Sequence, residues 1–134
     1  CKFNVDGAPC LIVTSADSVK VINSSIASTG DVSVITQNAG TLNINNSKIN
    51  ADGTETAIVS TGGVTVIVNS NVINGDGTNG AIDLNNEATT TTVNKLVNVT
   101  AIGNIDLHDT PTAKEALYMP AGTLSNILGI VTFI

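Results

Sequence analysis

With 134 residues, a net charge of −6 and five lysines but no arginine, the chain is poorly suited to a nucleic-acid backbone or an anionic membrane surface, both of which reward clustered cations. Its hydrophobic share is 42%, yet it holds two Phe, one Tyr and no Trp, which argues for a narrow interior of Ile, Val, Leu and Ala over an aromatic-rich globular core. No run approaches the ~20 apolar residues that cross a bilayer as a helix.

Residues 1–10 contain both cysteines. Cys1 and Cys10 allow a disulfide, two ordinary thiols or a bond between subunits, and two cysteines do not choose among these. A chain opening on Cys1 rather than Met is expected to be a processed form or a fragment.

From Leu11 to Asn79 one pattern recurs at a spacing of 23 residues. Leu11-Ile12-Val13 aligns with Val34-Ile35-Thr36 and Ala57-Ile58-Val59; Val21 aligns with Ile44 and Ile67; Asn23-Ser24-Ser25-Ile26 aligns with Asn46-Ser47-Lys48-Ile49 and Asn69-Ser70-Asn71-Val72. Repeats of this length signal stacked architectures. Apolar residues alternate within each unit (Val19 and Val21, Leu42 and Ile44), and Asn, Ser, Gly and Asp punctuate the runs, so the elements are expected to be short strands joined by turns. A unit this short cannot hold a strand-helix-strand crossover, which takes about 30 residues. The expectation is an all-β parallel β-helix, with each coil about 4.8 Å from the next and like residues stacked on like.

In that frame Asn23, Asn46 and Asn69 are expected to form an asparagine ladder, since buried amides need partners and a neighbouring coil supplies them. The Ile/Val position after it fills the core. Counting back 23 residues from Ile26 and Gly30 reaches Phe3 and Gly7, so residues 1–10 enter as a partial first coil. They serve as a thin N-terminal cap or as the place where another chain stacks.

After Gly80 the frame slips by one residue and continues. Ile12, Ile35, Ile58, Ile82 and Ile105 are expected to make one column. The run Thr89–Thr92 marks an insertion before Leu96. Regular coils are expected over residues 11–104 and an irregular last coil with a C-terminal strand over 105–134, all in one domain, 1–134. Pro111, Lys114-Glu115-Ala116-Leu117 and Pro120 suggest one short helical turn as an end cap, and Thr123–Ile134 a final apolar strand. About five coils make a body some 24 Å long, so stability should lean on caps or neighbours.

Chemistry has few candidates. Asp83 and Asp106 are 23 residues apart and should stack as a carboxylate pair about 5 Å apart, with Asn85 and His108 on the same face. Paired carboxylates at that separation suit a retaining glycosidase, although solvated surface Asp is the ordinary case and no Arg or Trp is present to hold a sugar. His108 alone is more often a surface histidine than a metal ligand. Asn74-Gly75-Asp76-Gly77 resembles a calcium loop, but Val72 stands where the first acidic ligand belongs; Asn50-Ala51-Asp52-Gly53 fails likewise at Lys48. Both read as turns. No phosphate loop, nucleophile elbow or Cys/His metal cluster occurs, so no cofactor or metal is expected. Asn23, Asn45 and Asn98 open N-x-S/T triplets, which carry little weight in so Asn/Ser/Thr-rich a chain.

The phrases Ala39-Gly40-Thr41-Leu42-Asn43-Ile44-Asn45-Asn46-Ser47 and Gly63-Val64-Thr65-Val66-Ile67-Val68-Asn69-Ser70 resemble coils of right-handed parallel β-helix proteins, a group that includes autotransporter and filamentous-haemagglutinin-type adhesins, phage tailspikes and pectate-lyase-like enzymes. The resemblance covers about Cys1 to Leu107. It implies a right-handed coil, and the enzymes of the group place Asp, Arg and Lys on one sheet face, where only Asp83 and Asp106 answer here. The function expected is therefore a non-enzymatic extracellular structural or adhesive protein, secreted or at the cell surface, assembled as a homo-oligomer or filament through its ends and meeting a cell-surface glycan or host receptor. The alternative is a glycan-binding or glycan-cleaving β-helix working at Asp83 and Asp106.

Overall fold

The computed structural model describes residues 1–15, 18–52, 55–74, 80–84, 93–107, 116–118, 127–128 and 131–133. Every regular element among them is a strand. In chain order these are β1 (Lys2–Asp6), β2 (Leu11–Val13), β3 (Ser18–Ile22), β4 (Ser25–Thr29), β5 (Ile35–Gln37), β6 (Thr41–Asn45), β7 (Lys48–Asp52), β8 (Ile58–Ser60) and β9 (Val64–Val68). They continue as β10 (Asn71–Asn74), β11 (Gly80–Leu84), β12 (Val93–Val97), β13 (Thr100–Ile102), β14 (Asn104–Leu107), β15 (Ala116–Tyr118), β16 (Ile127–Leu128) and β17 (Val131–Phe133).

Every third strand pairs in parallel with its predecessor, which makes three sheets. The first runs β1-β4-β7-β10-β13-β16, the second β2-β5-β8-β11-β14-β17 and the third β3-β6-β9-β12-β15. The chain is thus a parallel β-solenoid. Four turns of three strands each, β2–β4 through β11–β13, lie between β1 and a less regular last turn.

The 23-residue period is the register itself: Ile26 pairs with Ile49, Ile35 with Ile58, and Ile44 with Ile67. Phe3 pairs with Ile26, so the opening strand does enter the same frame. Parallel sheets are usually covered on both faces and apolar throughout. Here the strands alternate instead, with β6 and β7 burying every second residue. Inward side chains from all three sheets meet in one core, in which Ile35, Ile58, Ile82 and Ile105 form a fully buried column.

Several expectations need correction. Leu11, not Ile12, heads the isoleucine column; Ile12 pairs with Thr36 and faces outward, 56% exposed. The link from β1 to β2 (residues 7–10) is one residue shorter than that from β4 to β5 (30–34), which shifts the second sheet alone. The next link (14–17) is one longer than its counterpart (38–40) and restores the period at Val21 and Ile44. The expected insertion shows in the register: Ile82 lies 24 residues beyond its partner Ile58, whereas Lys95 lies 29 beyond Val66. The five extra residues fall between β11 and β12, within 85–92, outside the described residues. Ala116–Tyr118, placed in a helical turn by the sequence, is strand β15 paired with β12, because the solenoid register extends that far. The apolar run Thr123–Ile134 contains two short strands, β16 and β17, in different sheets.

Ile58 is central to the core column, and its truncation should cost ~2–5 kcal/mol because flanking turns cannot collapse onto the void. The neighbouring outward Thr36→Ala should change stability by less than ~0.5 kcal/mol. Denaturant melts of Ile58→Ala and Thr36→Ala would measure both.

Candidate functional site

Two places bring together the polar residues singled out by the sequence. On the outer face of the second sheet, Asp83 pairs in register with Asp106, one strand spacing of about 4.8 Å apart. Both are half-buried. The same column continues through Val59 and Thr36, so the carboxylates are confined to β11 and β14. The described lysines, Lys2, Lys20, Lys48 and Lys95, all lie on the first and third sheets. Asn85 and His108 lie outside the described residues, as do Gly75, Asp76 and Gly77 of the calcium-like turn. No group of three His, Cys, Asp or Glu among the described residues is placed to hold a metal ion.

The second place is the corner between the third and first sheets. Asn23, Asn46 and Asn69 stand there one above another, as the flanking pairs Ile22–Asn45, Asn45–Val68, Ser25–Lys48 and Lys48–Asn71 require. All three have a left-handed backbone, with φ of 49°, 48° and 49°. Asn98 joins them at 51°, a fourth member hidden from a 23-residue count by the insertion in its turn. Asn visits this region more readily than other non-glycine residues, because its short polar side chain bonds locally. The amides are exposed rather than buried, and Asn98 Nδ2 donates to Asn69 Oδ1 at 2.9 Å.

Burial falls instead on the next residue. The Ser24 amide donates to Ser47 Oγ, and the Ser47 amide to Ser70 Oγ, each at 3.1 Å. Ser47 Oγ and Ser70 Oγ then donate to the carbonyls of Asn45 and Val68 at 2.8 Å. In these two turns one hydroxyl therefore bonds its own turn and the preceding one. Along the corner runs an open groove of about 550 Å³ lined by Asn23, Asn46 and Asn69 with Ser25, Lys48 and Asn71.

A third cluster was not singled out by the sequence. Gln37 is fully buried: its Nε2 donates to the carbonyls of Gly40 and Val64 at 3.0 Å, and its Oε1 accepts from Ser60 Oγ at 3.2 Å and Thr65 Oγ1 at 2.7 Å. Asn94 Oδ1 extends the cluster by accepting the Thr65 amide at 2.8 Å. The available signal was parity, since Gln37 shares the inward phase of Ile35. The cluster satisfies its own polar groups, which identifies it as structural. Cys1 and Cys10 are both free thiols. Burial pushes the Cys10 thiol above its ordinary range, and Cys10 Sγ donates to the Ala27 carbonyl at 2.8 Å.

No family model matches the chain, and neither does any curated protein or solved structure.

The Asn corner makes a direct prediction. Asn46→Ala puts an ordinary side chain on left-handed backbone and should cost about 1–2 kcal/mol, whereas Asn46→Gly should cost less because glycine has no Cβ to clash. Thermal melts of the two variants should rank them in that order.

Proposed function

We propose that the chain is a non-enzymatic extracellular structural or adhesive protein, a subunit of a fibre or surface appendage built by stacking solenoid ends. The observation that supports this best is the position of its exposed large apolar side chains. Phe3, Ile12 and Ile22 are 50%, 56% and 51% exposed, one on each of β1, β2 and β3, the strands at the N-terminal rim of the three sheets. A strand at a sheet edge offers unpaired N–H and C=O groups to a further strand. A coil from a second copy laid on this rim would continue all three sheets and cover Phe3. The Asn corner and the outer sheet faces, polar and repeated, would then be displayed along the fibre for a cell-surface glycan or host receptor. Low charge, Asn/Ser/Thr richness and the absence of an assembled catalytic set among the described residues fit a secreted or surface location and a non-enzymatic role.

A second reading, glycan binding or cleavage, rests on the adjacency of Asp83 and Asp106. The separation would suit an acid and a nucleophile on either side of a glycosidic bond.

Negative-stain microscopy of concentrated protein tests the first reading: threads of solenoid width are expected, and Phe3→Asp should shorten or abolish them by placing a charge in the stacking surface. Discrete particles in both samples would contradict it. Asp83→Asn and Asp106→Asn test the second; it predicts glycan turnover by the wild type that either substitution abolishes, and the structural reading predicts no turnover in any of the three.

A further inference from the structure

The outer face of the first sheet has an unusual distribution of charge. On β1 the outward residues are Lys2, Asn4 and Asp6, all exposed. On β7, two strands away, they are Lys48, Asn50 and Asp52, with both charges exposed. The register places Lys2, Ser25, Lys48, Asn71 and Thr100 in one column along the solenoid axis. Asp6, Thr29 and Asp52 form another at the opposite edge of the sheet. Between the two columns runs a low strip of Asn4, Ala27, Asn50, Ile73 and Ile102. The sheet is therefore positive along one edge and negative along the other. Because each Lys shares its strand with an Asp four residues on, the two charges repeat at identical heights.

We propose that this face pairs with the same face of a second copy about a two-fold axis parallel to the solenoid axis. Such an axis reverses strand direction while preserving height. It sets β1 antiparallel over the partner's β1 and β7 over the partner's β7, so every Lys in the facing columns meets an Asp. Lys2 lies over Asp6 of the partner subunit, and Lys48 over Asp52 of the partner subunit. The central strip meets itself, amide on amide at Asn4 and Asn50 and apolar on apolar at Ile73 and Ile102. A two-fold perpendicular to the solenoid axis would instead bring lysine over lysine, so the charge pattern selects one symmetry. Sheets pack about 10 Å apart, a gap that a lysine and an aspartate reach across together. Closed two-fold pairing of one patch with itself is the commonest route to a dimer.

This surface is the side of the solenoid, so the inference goes beyond end stacking and stands whether or not the ends associate. Three outward residues on each of a few strands make a small interface, and the pairing should be weak and sensitive to salt.

The test uses charge exchange on the full chain. In dilute solution, below the concentration at which ends stack, sedimentation equilibrium of the wild type should show a monomer–dimer equilibrium that shifts toward monomer as salt is raised. In Lys2→Asp/Lys48→Asp both columns become acidic, and in Asp6→Lys/Asp52→Lys both become basic. Each variant alone should dimerise at least about tenfold more weakly, since like charges then face each other. An equimolar mixture of the two should recover the dimer, because acidic columns meet basic ones. All substituted side chains are exposed, and an unchanged β signature in circular dichroism would confirm that both variants fold. A wild type that stays monomeric throughout, a dimer retained by both variants, or a mixture no more associated than its components would overturn the proposal. Open-ended oligomers indifferent to these substitutions would place association at the rims and overturn the lateral pairing while leaving end stacking intact.

Discussion

Each turn of this chain obtains its main-chain hydrogen bonds from the turns on either side of it. At the Asn corner the amide of Asn23 donates to the Asn45 carbonyl, that of Asn46 to Val68 and that of Asn69 to Val97, at 3.0–3.1 Å. A buried amide left without a partner costs ~1–3 kcal/mol, so adjoining turns must present matching groups at every corner. This explains why the corner uses one device four times, a left-handed Asn, followed in three turns by a serine, whose hydroxyl links neighbours at Ser47 and Ser70. It also explains how departures from the period are handled. A residue missing from one link is returned in the next, and the five extra residues between β11 and β12 enter at a corner, where they leave the sheets in register.

The interior follows the same rule with different chemistry. Most inward positions are stacked Ile, Leu, Val and Ala, but Gln37, Ser60, Thr65 and Asn94 occupy inward positions near the corner between the second and third sheets. Their burial is tolerated because a solenoid brings carbonyls of two turns to one place, where Gln37 can meet Gly40 and Val64 together. Close approach is exploited nearby as well. Gly63, at φ 84°, leaves no room for a Cβ against the Gly40 carbonyl, so stacked turns approach more closely there than side chains would allow.

Much of the architecture was legible because period two and the 23-residue spacing are both direct consequences of stacking. The pairing of Phe3 with Ile26 and of Asp83 with Asp106 could be counted off the chain. Leu11 could not be told from Ile12 by counting, because a one-residue exchange between adjacent links leaves the overall period intact. Asn98 was obscured by its insertion. The burial of Ser47 and Ser70, with exposure of the adjacent Asn, is decided by backbone conformation, which polar composition does not reveal. The strand at Ala116–Tyr118 was masked by neighbouring prolines and by helix-favouring residues, whose local preference yielded to pairing with β12. Five lysines spread through the sequence also looked scattered, yet the coil carries four of them to two adjoining sheets.

That redistribution gives the surface its character. The second sheet carries paired carboxylates, the first carries opposed columns of Lys and Asp, and the corner between the third and first presents amides. These features are polar, periodic and rigidly spaced. All of them depend on turn-over-turn stacking, which methyl NMR tests most directly. With isoleucine methyls labelled, cross-relaxation should link Ile35 to Ile58, Ile58 to Ile82 and Ile82 to Ile105 in a single chain of contacts. If those neighbours show no contact while isoleucines within one 23-residue window do, the turns do not lie over one another and the account fails.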